Sequence, residues 1–135
     1  MKKVFVLFIF LLCGCSNKAS LNCSYVDSSS ILGSTKVNDV IEFRNDKIIS
    51  YKRSIDFSLH SGIKDLRSAY KAVKLEGKAL KKYIGGKYRA THNSDSVSMS
   101  FSSKKTSNLK YIGIDSGYGY DQVINVYNSL GFSCK

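Results

Sequence analysis

The chain has 135 residues, with 21 lysines and arginines against 10 aspartates and glutamates, and it contains no proline and no tryptophan. This length suits one domain with a hydrophobic core of its own and argues against several domains. Abundant lysine, isoleucine, asparagine, serine and tyrosine indicate the codon bias of an AT-rich genome, so this composition carries no chemistry by itself.

The amino-terminal residues have the pattern of a bacterial lipoprotein signal. Lys2 and Lys3 precede an apolar run from Val4 to Leu12, and a small Gly14 stands directly before Cys15. In such signals the cations stay on the inner side of the membrane, the apolar run inserts into the bilayer, and a peptidase cleaves before an acylated cysteine. We therefore predict a signal peptide over residues 1–14, lipidation of Cys15 and a lipidated tether over residues 15–20.

This segment has two alternative interpretations. A retained transmembrane anchor is rejected, because the apolar run is about half of the roughly 20 residues that a bilayer requires. A cleaved secretory peptide without lipid is the more serious alternative. A bacterial lipoprotein carries two or more acyl chains, and each buried methylene group contributes roughly 0.8 kcal/mol to membrane binding. Lipidation of Cys15 would therefore hold the domain on the membrane. The predicted location is therefore extracytoplasmic, lipid-anchored to the bacterial cell membrane.

Two cysteines remain in the domain once Cys13 leaves with the signal and Cys15 carries lipid. Cys23 and Cys134 lie near the two ends of the mature chain, and we predict that they form a disulfide, since the compartment is oxidising. The alternative is a metal site that uses both thiols with His60 and His92. This metal site is disfavoured, because no two of these four residues have the sequence spacing of metal ligands.

Alternating apolar residues predict three strands in the first half of the chain. We expect strands over Leu21 to Asp27, Val37 to Arg44 and Lys47 to Leu59, with Asn45-Asp46 as the turn of a hairpin that has one dry and one wet face. The residues predicted to face the core are Val37, Ile41 and Phe43 in the second strand and Ile49, Tyr51, Ile55, Phe57 and Leu59 in the third.

Beyond residue 60 the apolar period changes to that of an amphipathic helix. Apolar residues recur every three or four positions from Ile63 to Ile84, with Ser61 as a candidate cap and Gly85-Gly86 as the end. The remaining predicted elements are strands over Lys87 to His92 and Ser96 to Ser102 and a second helix near Tyr120 to Leu130. The order ββ(β)-α-ββ-α predicts an α+β fold, an antiparallel sheet of about five strands with two helices packed on one face, as a single domain over residues 21–135.

This order of elements, with four short motifs, resembles the YehR-like family of small bacterial lipoproteins. The resemblance covers roughly residues 21–135 and implies an α+β fold and a lipoprotein identity. It implies no catalytic residues, because the family has no established activity. The strong basic charge and the loop Ser103 to Tyr118 depart from the family pattern. The motifs are Leu21-Asn22-Cys23, Asn45-Asp46-Lys47-Ile48, Gly86-Lys87-Tyr88 and Gly131-Phe132-Ser133-Cys134-Lys135.

A catalytic constellation is not recognisable in the sequence. His60 and His92 stand alone, without a nucleophile at a diagnostic spacing. Asp115 and Asp121 flank a glycine-rich stretch and are better interpreted as a turn residue and a helix cap than as an acid and a base. The glycines 113, 117 and 119 match neither a Walker loop nor a dinucleotide fingerprint. We therefore expect no enzyme activity, no cofactor and no metal site.

The first helix carries one non-random pattern, a stripe of cations beside its apolar seam. At 100° per residue these cations fall within about a quarter of the circumference, while Asp65 and Glu76 lie on the far side. The stripe is either a solvated face or a surface that binds anionic lipids or wall polymers. Its members are Lys64, Arg67, Lys71, Lys74, Lys78, Lys81 and Lys82.

Three classes of function follow from these features. The favoured one is a lipoprotein that binds anionic envelope components through the stripe, with the membrane as its partner through the lipid anchor. Nucleic acid is a poor partner because the domain is exported. The alternative is a small-ligand-binding or accessory module of an envelope complex, which predicts a concave apolar pocket. An enzyme would instead require converging polar groups with shifted pKa values.

Overall fold

The computed structural model describes residues 16–135, so the predicted signal peptide and Cys15 lie outside the described residues. Within these residues, six strands form one antiparallel sheet with the order β4-β5-β3-β2-β1-β6. The strands are β1 (Lys18–Asp27), β2 (Gly33–Arg44), β3 (Lys47–Leu59), β4 (Lys87–His92), β5 (Ser96–Ser103) and β6 (Ser133–Cys134), and the helices are α1 (Arg67–Tyr83) and α2 (Tyr120–Ser129), with a 3-10 turn at Leu109–Ile112.

Both helices pack on the same face of the sheet. α1 covers β4 and β5, α2 lies near β1 and β6, and side chains from both helices reach the central strands β2 and β3. This arrangement confirms the predicted α+β class, with a sixth, two-residue strand added. The largest fully buried side chains are Tyr51, Tyr127, Phe43, Leu21, Ile41, Leu80, Ile84, Met99, Leu109, Ile114, Val97 and Val123.

A β-bulge near the start of β3 changes which residues face the core. Glu42 pairs with Ser50, but the next residue of β2, Phe43, pairs with Ile48, so Ile49 is the extra residue. A bulge shifts the alternation by one position. Ile48 is therefore buried and Ile49 only half-buried, and the prediction that Ile49 faces the core is wrong.

Helix α1 begins at Arg67, later than the predicted Ile63, and Ser61 does not cap it. Gly62 has a φ of +87°, a left-handed conformation that turns the chain before a helix can start. The side chain of Asp65 then accepts a hydrogen bond of 2.9 Å from the backbone N–H of Arg67. Lys64 therefore precedes the helix, which corrects its assignment to the helical stripe.

The close contact between α1 and the sheet depends on Gly77. A Cβ atom at this position would lie 2.4 Å from Cδ2 of Tyr88 on β4, which is closer than any side chain could tolerate. The three- and four-residue repeat of the sequence predicts only that Gly77 lies on the apolar side of the helix. The structure shows that its missing side chain makes room for the ring of Tyr88.

The chain termini of the domain meet at one edge of the sheet. β6 pairs antiparallel with β1, and Cys23 lies directly opposite Cys134, with an S–S distance of 2.03 Å. The predicted disulfide is present, so neither thiol is free for the alternative metal site. β1 begins at Lys18, three residues before the predicted Leu21, and thus takes up part of the predicted tether 15–20.

Candidate functional site

The centre of the inner sheet face holds a buried charge pair that joins β2 to β3. Asp39 and Arg53 are directly opposite each other in the antiparallel register. Nε of Arg53 donates a hydrogen bond of 2.8 Å to Oδ1 of Asp39, Nη2 donates one of 2.8 Å to Oδ2, and Asp39 is 0% exposed. This bidentate arrangement is the strongest geometry available to an arginine and a carboxylate.

Both helices also bond to this pair. The hydroxyl of Tyr127 on α2 donates to Oδ2 of Asp39 at 2.6 Å, and the hydroxyl of Tyr51 donates to the same oxygen at 3.3 Å. Nη1 of Arg53 donates to Oε1 of Glu76 on α1 at 3.1 Å. The Asp39 cluster, defined as these five residues, therefore connects the two central strands with both helices.

The protonation states in the Asp39 cluster are held by burial and by the carboxylate. Burial raises the pKa of both tyrosine hydroxyls far above the ordinary value of 10.0, and the charge of Asp39 raises it further. Burial, the largest single influence, lowers the pKa of Arg53, but the hydrogen bonds to Asp39 and the electrostatic influence of Tyr51, Asp39 and Tyr127 together outweigh it and raise that pKa. Tyr51 and Tyr127 thus remain hydrogen-bond donors and Arg53 remains charged.

The Asp39 cluster has the properties of a structural network. Within residues 16–135, every buried side-chain nitrogen and oxygen has a hydrogen-bond partner, so the polar groups of this cluster are fully satisfied. This cluster is not among the sites predicted from the sequence. A signal was present, because Asp39 and Arg53 occupy inward positions between apolar neighbours in their strands, where a charge requires a buried partner.

An apolar groove opens beside this cluster, between α1 and strands β2 and β3. Its volume is about 550 Å³, which lies within the range of small-molecule sites. Arg53 and Glu76 form its polar floor, and their side chains are 15% and 35% exposed. Its other lining residues are Leu32, Thr35, Val37, Ile55, Phe57, Ser68, Ala69, Ala72 and Val73.

Six of the seven predicted stripe cations lie on α1, and all six are exposed. We call them the cationic face: Arg67, Lys71, Lys74, Lys78, Lys81 and Lys82. None of them forms an ion pair within the described part of the chain. Two lie over aromatic rings, Lys74 Nζ at 5.7 Å from the Tyr70 centroid and Lys82 Nζ at 5.1 Å from that of Tyr83.

The two histidines lie apart in different contacts. Nε2 of His60 is 3.1 Å from the carbonyl oxygen of Ser30, whereas the ring of His92 packs edge-on against Tyr70, with centroids 4.9 Å apart. A depression of about 440 Å³ gathers His92 and Tyr70 with Lys64 and other residues, but it does not include His60. Residues 16–135 contain no group of three or more metal-ligating side chains.

The glycine-rich stretch before α2 is a turn, as predicted. Asp115 Oδ1 accepts a hydrogen bond of 2.8 Å from the N–H of Gly117. Asp121, however, is not the helix cap. Asp46, from the β2–β3 turn, accepts a hydrogen bond of 2.7 Å from the N–H of Tyr120, the first residue of α2. This cap comes from 74 residues earlier in the chain, a distance over which sequence spacing is not informative.

Two solved structures share this fold at low sequence identity. E. coli YehR, determined by NMR, matches with a TM-score of 0.62 and 16% identity over 89% of this chain and 92% of its own. An NMR structure of a protein from Streptococcus pneumoniae TIGR4 matches with a TM-score of 0.52 and 12% identity over 90% of this chain and 87% of its own. At these identities the similarity shows the fold alone.

Sequence comparisons add no family assignment. No protein-family model matches the chain, and no curated protein matches it. Neither helix within residues 16–135 combines the length and apolar content needed to cross a membrane.

Proposed function

We propose that this protein is a lipid-anchored extracytoplasmic lipoprotein that binds anionic envelope components through the cationic face of α1. The observation that carries the proposal is the exposure of all six cations without an ion pair in the described residues. Glu76, the carboxylate of α1, lies on the opposite side of the helix and is bonded to Arg53. The positive field of the face is therefore not cancelled by its own helix.

Binding of the lipid-free domain, residues 16–135, to vesicles tests this proposal. We expect it to co-sediment with anionic vesicles at low salt and to be released at moderate salt. The reason is that the Debye screening length falls from about 30 Å at an ionic strength of 0.01 M to about 8 Å at 0.15 M. Lys71→Glu/Lys78→Glu should reduce binding at least tenfold. Each lysine or arginine near an anionic surface contributes roughly 1 kcal/mol to the free energy of binding.

The matched control reverses two exposed lysines elsewhere, Lys36→Glu/Lys135→Glu, and has the same net charge as the test variant. It should retain most of the binding, because neither position lies on α1. Equal losses in both variants would show that only net charge matters, and equal retention would leave the cationic face as a solvated surface.

A second candidate function, binding of a small ligand, is favoured by the apolar groove. Its polar floor is formed by Arg53 and Glu76, and Arg53 is also bonded to the fully buried Asp39, so these three groups together carry one excess negative charge when all are ionised. An apolar molecule with an amine is the complementary ligand. Its amine can approach Glu76, which is partly exposed, while its apolar part contacts Val37, Ile55 and Phe57.

Two dansyl probes separate this candidate from non-specific apolar binding, one joined to a primary alkylamine and the other to an alkyl carboxylate. We expect saturable enhancement of dansyl fluorescence for the amine and at least fivefold weaker binding of the carboxylate. Glu76→Gln should remove this preference, and Ala72→Trp, which fills the groove, should weaken both probes. Identical binding of the two probes to the unmodified protein would rule out an amine site.

A further inference from the structure

The place where the chain enters the domain is held by the turn between β2 and β3. The carbonyl of Asn17 accepts a hydrogen bond of 2.8 Å from the N–H of Asn45, and the N–H of Asn17 donates one of 3.1 Å to Oδ1 of Asn45. Only Ser16 stands between Asn17 and Cys15. Two residues span at most about 7 Å, so a lipid on Cys15 would bring this turn to the bilayer surface.

Four other elements meet at the same end of the molecule, which we call the anchored end. The β2–β3 turn caps α2 through Asp46 and the N–H of Tyr120. The ring of Tyr83, the last residue of α1, stacks on Tyr111 of the 3-10 turn with centroids 4.7 Å apart. The segment after β5 also reaches this end, because the side chain of Lys105 lies against Gly85.

The anchored end is strongly cationic. Lys18, Arg44 and Lys47 are aligned across β1, β2 and β3 in the last row of the sheet. The eight cations of this end are Lys18, Arg44, Lys47, Lys81, Lys82, Lys104, Lys105 and Lys110, all of them exposed and none in an ion pair within residues 16–135.

The carboxylates of the anchored end are fewer and largely engaged. Glu42 pairs with Lys52 at 3.3 Å, and Asp46 and Asp115 each accept a backbone N–H. Asp121, in the first turn of α2, completes this set of four. At the opposite end, four carboxylates outnumber three cations. These residues are Asp27, Asp56, Asp65 and Asp95, with Lys36, Lys64 and Arg67.

We infer that the anchored end docks on anionic lipid headgroups and holds the domain upright on the membrane. The lipid and the excess of cations lie at the same end, while the opposite end is slightly acidic and would be repelled by an anionic surface. The inference rests on the lipid anchor of the proposed function, but it does not require the cationic face of α1 to bind the membrane.

The upright orientation limits what α1 can contact. Its 17 residues extend about 25 Å, and it begins at the end opposite the anchored end. Screening at physiological salt acts over about 8 Å. In the lipid-anchored protein only Lys81 and Lys82, in the last turn, can therefore reach the headgroups, and the part of the cationic face from Arg67 to Lys78 faces the aqueous space. The lipid-free domain has no such constraint and can present α1 to a vesicle.

Single tryptophans in the full lipidated protein test this orientation, because the natural chain has none. Three substitutions leave every lysine and arginine in place: Tyr111→Trp at the anchored end, Leu75→Trp beside the cationic face, and His60→Trp at the opposite end. Each protein is reconstituted into anionic vesicles that contain brominated lipids, and quenching of tryptophan fluorescence is measured. Intact mass must first show acylated Cys15, since an unmodified chain would overturn the inference.

We expect at least threefold stronger quenching for Tyr111→Trp than for His60→Trp, with Leu75→Trp closer to the latter. Strongest quenching of Leu75→Trp would overturn upright docking and show instead that α1 lies flat, which leaves the proposed function standing. Equal quenching at all three positions would also overturn it. A failure of the lipid-free domain to bind through α1, in contrast, would contradict the proposed function without affecting this result.

Charge reversal at the anchored end separates electrostatic docking from simple tethering. Arg44→Glu/Lys47→Glu in the Tyr111→Trp background should at least halve the quenching. Replacing the anionic vesicles by vesicles of brominated phosphatidylcholine without anionic lipid should have the same effect. The matched control Lys36→Glu/Lys64→Glu, at the opposite end, should leave the quenching unchanged. Unchanged quenching after reversal of Arg44 and Lys47 would overturn the role of the headgroups.

Discussion

Replacing Asp39 by alanine is expected to lower the free energy of unfolding by about 3 to 5 kcal/mol, the usual result of removing one partner from a buried ion pair. Among residues 16–135, Arg53 would keep only Glu76 as an ionic partner, and the hydroxyls of Tyr51 and Tyr127 would both lose the oxygen to which they donate. Chemical denaturation followed by circular dichroism measures the change.

Two further variants make this prediction specific. Asp56→Ala removes an exposed carboxylate on β3 that accepts a hydrogen bond of 2.7 Å from Ser98, and its effect should stay within about 0.5 kcal/mol. Asp39→Leu/Arg53→Met removes both charges together and should be more stable than Asp39→Ala alone, because no buried charge is left without its main partner. A loss for Asp39→Ala no larger than that for Asp56→Ala would contradict the structural role of the cluster.

Replacing Cys134 by serine should lower the free energy of unfolding by about 2 to 5 kcal/mol, the typical loss for a native disulfide in a small secreted domain. The bond closes a loop across a sequence separation of 111, and its loss frees the carboxyl terminus from the edge of the sheet. β6 has only two residues, so its pairing with β1 depends strongly on this covalent link. Urea unfolding of the oxidised protein and of the variant gives the difference.

Reduction provides the internal control for the disulfide. Reducing agent should bring the stability of the unmodified protein down to that of Cys134→Ser and should leave the variant unchanged. Thiol labelling of the unreduced domain, residues 16–135, should detect no free cysteine. Labelling of both Cys23 and Cys134 without reduction would contradict the disulfide.

Local patterns were sufficient for most of the fold. Period-two alternation located β2, β3 and β5, the three- and four-residue repeat located α1, and two cysteines at opposite ends predicted their own pairing. The boundaries were less accurate where local interactions compete. Gly62 and Asp65 delay the start of α1, and the bulge at Ile49 exchanges Ile49 for Ile48 in the core.

The sequence by itself determined the class of fold, the disulfide and the cations of α1, because each depends on periodicity or on residue type along one segment. Only the tertiary structure decided the Asp39 cluster, the cap that Asp46 provides to α2, and the gathering of eight cations at the anchored end. These features join residues that are far apart in the chain, and only the register of the sheet and the packing of both helices on one face bring them together. Side-chain periodicity describes a residue's own segment, whereas a buried charge or a cationic end depends on which segments become its neighbours.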